Sequence, residues 1–179
     1  SSGWKIEKVS DRKVRDEWKP LWGKRAVVED HFNELVIDLV NPAGQPERMQ
    51  LVVRGYNDGF AFCYKIPDGK GPCVNVQSEL TAYNFAGDYT AWFYNGENHN
   101  IGPEKLTETD GTRLPVMTVK AGDKHYMAIH EACLETGAPL VLQSKGGNRS
   151  FRSLPSRPVC RRDIHQPGVS FCMGRHLAC

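Results

Sequence analysis

At 179 residues with 40% apolar side chains, the chain is long enough for one domain to bury a core without disulfide or metal staples. A formal net charge of +2 is too small to mark a nucleic-acid or acidic-membrane partner. It is also uneven, since five arginines face one aspartate from Arg152 onward and leave the rest faintly acidic. No apolar run approaches the roughly 18 residues of a membrane-crossing helix, and the opening SSGWKIEKVS has no signal-peptide pattern, so the chain as it stands is expected to be soluble.

Seventeen Gly and eleven Pro at short intervals suit many strands and turns better than long helices. Residues 4–15 read as a polar strand or lead-in followed by a basic loop. Trp18 and Trp22 then stand four apart around Pro20. Such a pair either anchors an extended loop on a sheet or offers indole faces to the apolar side of a sugar ring. Over residues 25–40, two short apolar segments flank His31-Phe32-Asn33-Glu34, and the β-branched run after Glu34 prefers a strand.

The stretch 49–66 organises the rest. Two apolar runs, 49–56 and 60–66, are separated by Asn57-Asp58-Gly59, which predicts a hairpin whose Gly supplies a positive φ. Phe60, Phe62, Tyr64 and Ile66 fall on one face and line a core; Ala61, Cys63 and Lys65 fall on the other. Residues 67–72 are dense in turn chemistry, 74–85 alternate as a strand, and 91–94 form an aromatic strand containing Trp92 and Tyr94. The polar stretch 95–111 reads as a long surface excursion. Residues 116–120 and 125–133 resume the strand pattern around Ala121-Gly122-Asp123, and 139–143 add another strand. A short helix over 131–136 is the one helical candidate. Roughly ten strands result, predicting an all-β fold of two packed antiparallel sheets.

Six cysteines at 63, 73, 133, 160, 172 and 179 show no CxxC spacing, and Cys63 and Cys133 lie in apolar runs where buried thiols are the default. There is no nucleophile elbow, phosphate-binding loop, dinucleotide fingerprint or HExxH. In a strand, His125 and His130 point to opposite faces and do not chelate one zinc ion. Glycosidic chemistry requires two carboxyl groups at a defined separation. Glu29, Asp30, Glu34, Asp38, Asp58, Glu79 and Glu131 qualify by type, and spacing does not pair them. Glu131, ending an apolar run, either is a solvated side chain or reaches beyond the sheet.

Taken in order, the pieces at 18–24 (WKPLWGK), 33–35 (NEL), 51–64 (LVVRGYNDGFAFCY), 79–81 (ELT) and 129–134 (IHEACL) resemble glycoside hydrolase family 97, the α-glucosidase and α-galactosidase group. The resemblance is to its amino-terminal domain, a large β-super-sandwich of the galactose-mutarotase-like type that precedes a catalytic (β/α)8 barrel. It implies a sandwich over residues 1–151, with 152–179 an unassigned basic, Cys-containing tail.

The resemblance further implies that acid and base belong to a barrel this chain lacks, since that fold needs about 200 residues or more. The chain alone is then inactive. It implies that Glu131 is lent as a ligand to a calcium ion in the full-length parent, that oligosaccharide is the substrate, and that the parent is periplasmic or secreted in bacteria. Two other readings remain open: an independent carbohydrate-binding module using Trp18, Trp22, Trp92 and Tyr94, and an inert piece whose exposed apolar patch self-associates.

Overall fold

The computed structural model describes residues 3–44, 47–66, 80–96, 100–133, 139–154 and 169–176, with backbone alone at 132, 133 and 169–176. Twelve strands run through the described residues: β1 Lys5–Trp18, β2 Val28–Val40, β3 Arg48–Tyr56, β4 Gly59–Ile66, β5 Ala82–Asn84, β6 Thr90–Tyr94, β7 Asn100–Lys105, β8 Asp110–Lys120, β9 Tyr126–Cys133, β10 Val141–Lys145, β11 Ser150–Leu154 and β12 Val169–His176. Every pairing is antiparallel, as the predicted all-β sandwich requires.

The larger sheet runs β1-β2-β3-β4-β12-β9-β8, with β6 and β7 continuing from β8; the smaller runs β8-β10-β11-β5. β8 belongs to both, its residues 110–113 pairing with β10 and its residues 117–120 with β9. The change of partner falls around Pro115, which lacks the N–H that an uninterrupted ladder needs.

The core fills the space between these layers. Ala91 and Phe93 of β6, Met117 and Val119 of β8 and Ile129 of β9 meet Leu142 of β10 and Phe151 of β11, all buried. Each set alternates with more exposed neighbours, which is the period-two pattern of a strand with one face inward. Phe151 lies at the centre, 5.6 Å from the Phe93 ring and 6.3 Å edge-on to Phe85.

Several expectations are corrected. Residues 4–15 do not pass into a loop: β1 is a 14-residue edge strand, exposed everywhere but Val14. Apolar residues are sparse there because no second layer meets it, so hydropathy gave little strand signal. Likewise His31-Phe32-Asn33-Glu34 does not interrupt β2, since Phe32 and Glu34 alternate inward while Asn33 points out.

The 57–59 hairpin forms as predicted, with Tyr56 opposite Gly59. Its Gly is not left-handed, because neither Gly59 nor any non-glycine described has a positive φ. The stretch 95–111 is no simple excursion: β7 pairs with β6, and Leu106 and Thr109 are sealed. Thr109 is satisfied there by Glu104 Oε2 and the Lys105 carbonyl, both 3.1 Å from its hydroxyl.

Of the helix expected over 131–136, residues 131–133 belong to β9, and the remainder lies outside the described residues, as do 67–79 of the predicted turn and strand. β11 and β12 were not anticipated. β12, within the stretch read as an unassigned tail, pairs with β4 on one side and β9 on the other.

Candidate functional site

The β1–β2–β3 register sets Arg12, Glu34 and Arg54 directly opposite one another across three strands. Glu34 is buried at 6% exposure, and its two oxygens are divided between the guanidinium groups: Arg12 Nε donates to Oε1 at 2.5 Å and Arg54 Nε to Oε2 at 2.7 Å. These bonds, Arg12's foremost, hold the Glu34 carboxyl below the usual glutamate range against the opposing pull of burial. Arg54 also lies over the Phe32 ring, 4.4 Å from its centroid, and that ring packs 5.4 Å from Tyr56. A carboxylate so closed in by cations is a structural clasp; its charge is already used.

Glu131 stands differently. β9 is an internal strand between β12 and β8, and Glu131 lies two residues before its end. In β9, Glu131 shares a face with Met127 and Ile129. Ile129 is sealed in the core whereas Glu131 is half-buried, so this face opens toward solvent along the strand. No described residue offers its carboxylate a hydrogen bond or ion pair. The adjacent His130 projects to the other face, with Nδ1 3.0 Å from the Glu131 carbonyl oxygen.

The tryptophans are not gathered into one surface. Trp18 ends β1 at 55% exposure, and Trp22, 87% exposed, follows Leu21 in the loop to β2. The β1–β2 ladder continues through His31 to Val28 after β3 has ended, which carries this tip about 13 Å past the level of Tyr56. Trp92 lies beyond β8, on the outward side of β6 with Tyr94, and its indole edge meets Gly102 of β7. Among the described residues no group of three His, Cys, Asp or Glu side chains could hold a metal ion.

By type and spacing, Glu34 is one carboxylate among several in the sequence. Its role needed the strand register, which alone sets residues 12, 34 and 54 in line.

Two antiparallel sheets enclosing an aromatic core, with a half-buried carboxylate on the inner face, define an all-β sandwich domain. Residues 1–159 match the family described as Glycosyl-hydrolase 97 N-terminal, and the chain belongs to that family. It is 27% identical to a probable retaining alpha-galactosidase of Streptomyces bingchenggensis over 94% of its length, and 29% identical to a retaining alpha-galactosidase of Bacteroides thetaiotaomicron over 78%. It spans 23% of the length of each of these relatives.

Among solved structures, a glycoside hydrolase family 97 enzyme from Pseudoalteromonas sp. strain K8, in complex with acarbose, superposes with a TM-score of 0.82 at 23% identity. The overlap covers 98% of this chain and 28% of that one. A beta-arabinopyranosidase superposes at 0.77 with 16% identity, covering 98% of this chain and 32% of that one, a likeness of fold.

Proposed function

We propose that this chain serves as the non-catalytic amino-terminal sandwich of a family 97 glycoside hydrolase acting on α-galactosides or α-glucosides, exported to the periplasm or beyond. In this reading it packs on a (β/α)8 catalytic barrel and lends the Glu131 carboxylate to a calcium ion in the barrel's active site. The observation that carries the reading is Glu131 itself, a half-buried carboxylate on the core-lining face that no described cation neutralises.

Calcium takes 6 to 8 oxygen ligands, and the described residues hold no cluster that could supply them. The fit is therefore that of one contributed ligand, the remainder belonging to the barrel. Glu131 would hold one side of such an ion and so tie the sandwich to the catalytic domain, and the calcium would supply positive charge to the site.

Glu131→Ala tests this. The chain should fold unchanged by circular dichroism, while a full-length parent carrying the substitution should lose its calcium-dependent activity; unchanged activity would remove the assignment. The chain alone should hold calcium only weakly. With a Kd on the order of 10 mM, 1 mM calcium adds less than about 0.1 kcal/mol of stability.

The exposure of Trp18 and Trp22 favours a second reading, a carbohydrate-binding surface at the hairpin tip. Calorimetry with maltooligosaccharides and α-galactosides decides between them. Millimolar or tighter binding that Trp22→Ala abolishes would support the tip as a sugar platform.

A further inference from the structure

The strand register brings three cysteines into one row that the sequence scatters over more than a hundred residues. Cys172 of β12 is directly opposite Cys63 of β4 on one side and, where the register shifts between Cys172 and Met173, is paired with Cys133 of β9 on the other. We propose that Cys172 is the pivot of a redox-formed disulfide that joins β12 to either β4 or β9, so that oxidation fastens the last strand into the larger sheet.

Distances decide which bridges are possible. Directly opposed residues of antiparallel strands have Cα atoms about 4.5–5.5 Å apart, inside the roughly 4.4–6.8 Å that a disulfide spans. Positions 63 and 133 are two strand spacings apart, about 9.6 Å, beyond the roughly 7 Å limit for a bridge. Position 172 can therefore pair with either neighbour, and the neighbours cannot pair with each other. The same span argues against all three thiolates closing on one metal ion. Sulfur ligands at about 2.3 Å from zinc are within about 4 Å of one another, which a flat row of this width does not permit.

Cys63 is buried at 6% exposure, which favours a small oxidant such as a peroxide. The Cys172 thiolate attacks one peroxide oxygen, the O–O bond breaks, and a sulfenic acid forms as the other oxygen leaves and is protonated to water. The thiolate of Cys63 or Cys133 then attacks the Cys172 sulfur and expels the sulfenic oxygen, which is protonated to a second water. Two thiols are oxidised by two electrons and one peroxide is reduced to two waters.

The test uses the full 179-residue chain with Cys73, Cys160 and Cys179 changed to Ser, treated with hydrogen peroxide, alkylated and mapped by mass spectrometry. Reactive thiols should fall from three to one, with Cys172 in every cross-linked peptide. Adding Cys172→Ser should leave both remaining thiols unlinked. A Cys63–Cys133 peptide, or a Cys172 that stays a thiol or passes to sulfinic acid without linking, would overturn the proposal. Should the triple variant fail to fold, mapping the unsubstituted chain decides, since Cys172 linked to 73, 160 or 179 would equally overturn it.

Discussion

Glu34 and Glu131 show how two glutamates of similar sequence setting come to stand in different surroundings. Each follows a polar residue in an apolar strand, but one has an arginine opposite on both neighbouring strands and the other has no cation among the described residues. Because Glu34 ionises more readily folded than unfolded, its contribution to stability is complete above the unfolded value of about 4.3. That contribution is lost as pH falls through the lower folded value.

Glu34→Gln should cost about 1–3 kcal/mol at neutral pH by breaking two charge-assisted bonds. It should also flatten the loss of stability in acid, measured as the midpoint of urea unfolding against pH. An unchanged acid slope would show that other carboxylates carry the effect. Asp88 acts in the same direction from the surface, its carboxyl lowered by the Thr107 N–H and hydroxyl.

At the level of elements, the contact of β7 with β6 depends on one glycine. Gly102 has a φ of +117°, and a Cβ there would lie 2.5 Å from the Ala91 carbonyl oxygen and 3.1 Å from the Trp92 Cα. Both obstacles are backbone, so neither can swing away. Gly102→Ala should lower stability by about 1–3 kcal/mol, with β7 amides losing hydrogen-exchange protection before those of β3 and β4. Uniform loss across the molecule would mean that β7 is not a separable unit.

Strand prediction worked at 91–94, where one face met the core, and at 60–66, although there the expected aromatic face is not the sealed one: Phe60 is exposed and Cys63 of the opposite face is buried. It read β1 only at its start and gave the rest as a loop, because the residues of β1 are solvated on nearly every side. It failed for β7 because an edge strand can be polar and carry Gly and Pro.

For the whole molecule, the balance of burial is lopsided. The β6-β8-β9 half is sealed against β10 and β11, while Ile6, Val9, Trp18, Leu21 and Trp22 leave the β1–β2 end apolar and exposed. If a catalytic barrel covers that end in the parent, the isolated chain should self-associate as its concentration rises. Sedimentation velocity on the chain and on a Leu21→Ser, Trp22→Ser variant checks this: the variant should remain monomeric at concentrations where the parent chain does not. Equal behaviour would turn attention to the sheet face behind Leu35 and Val53.

Alternation, turn residues and the ordered pieces from WKPLWGK to IHEACL were enough to determine a two-sheet sandwich and the family it resembles. Period-two burial is written locally, residue by residue. The clasp on Glu34, the internal position of Glu131, the separation of Trp92 from the hairpin tryptophans and the alignment of three cysteines were decided only by tertiary structure. Each depends on which strands become neighbours and in what register, and that is set by long-range pairing that no local stretch of sequence contains.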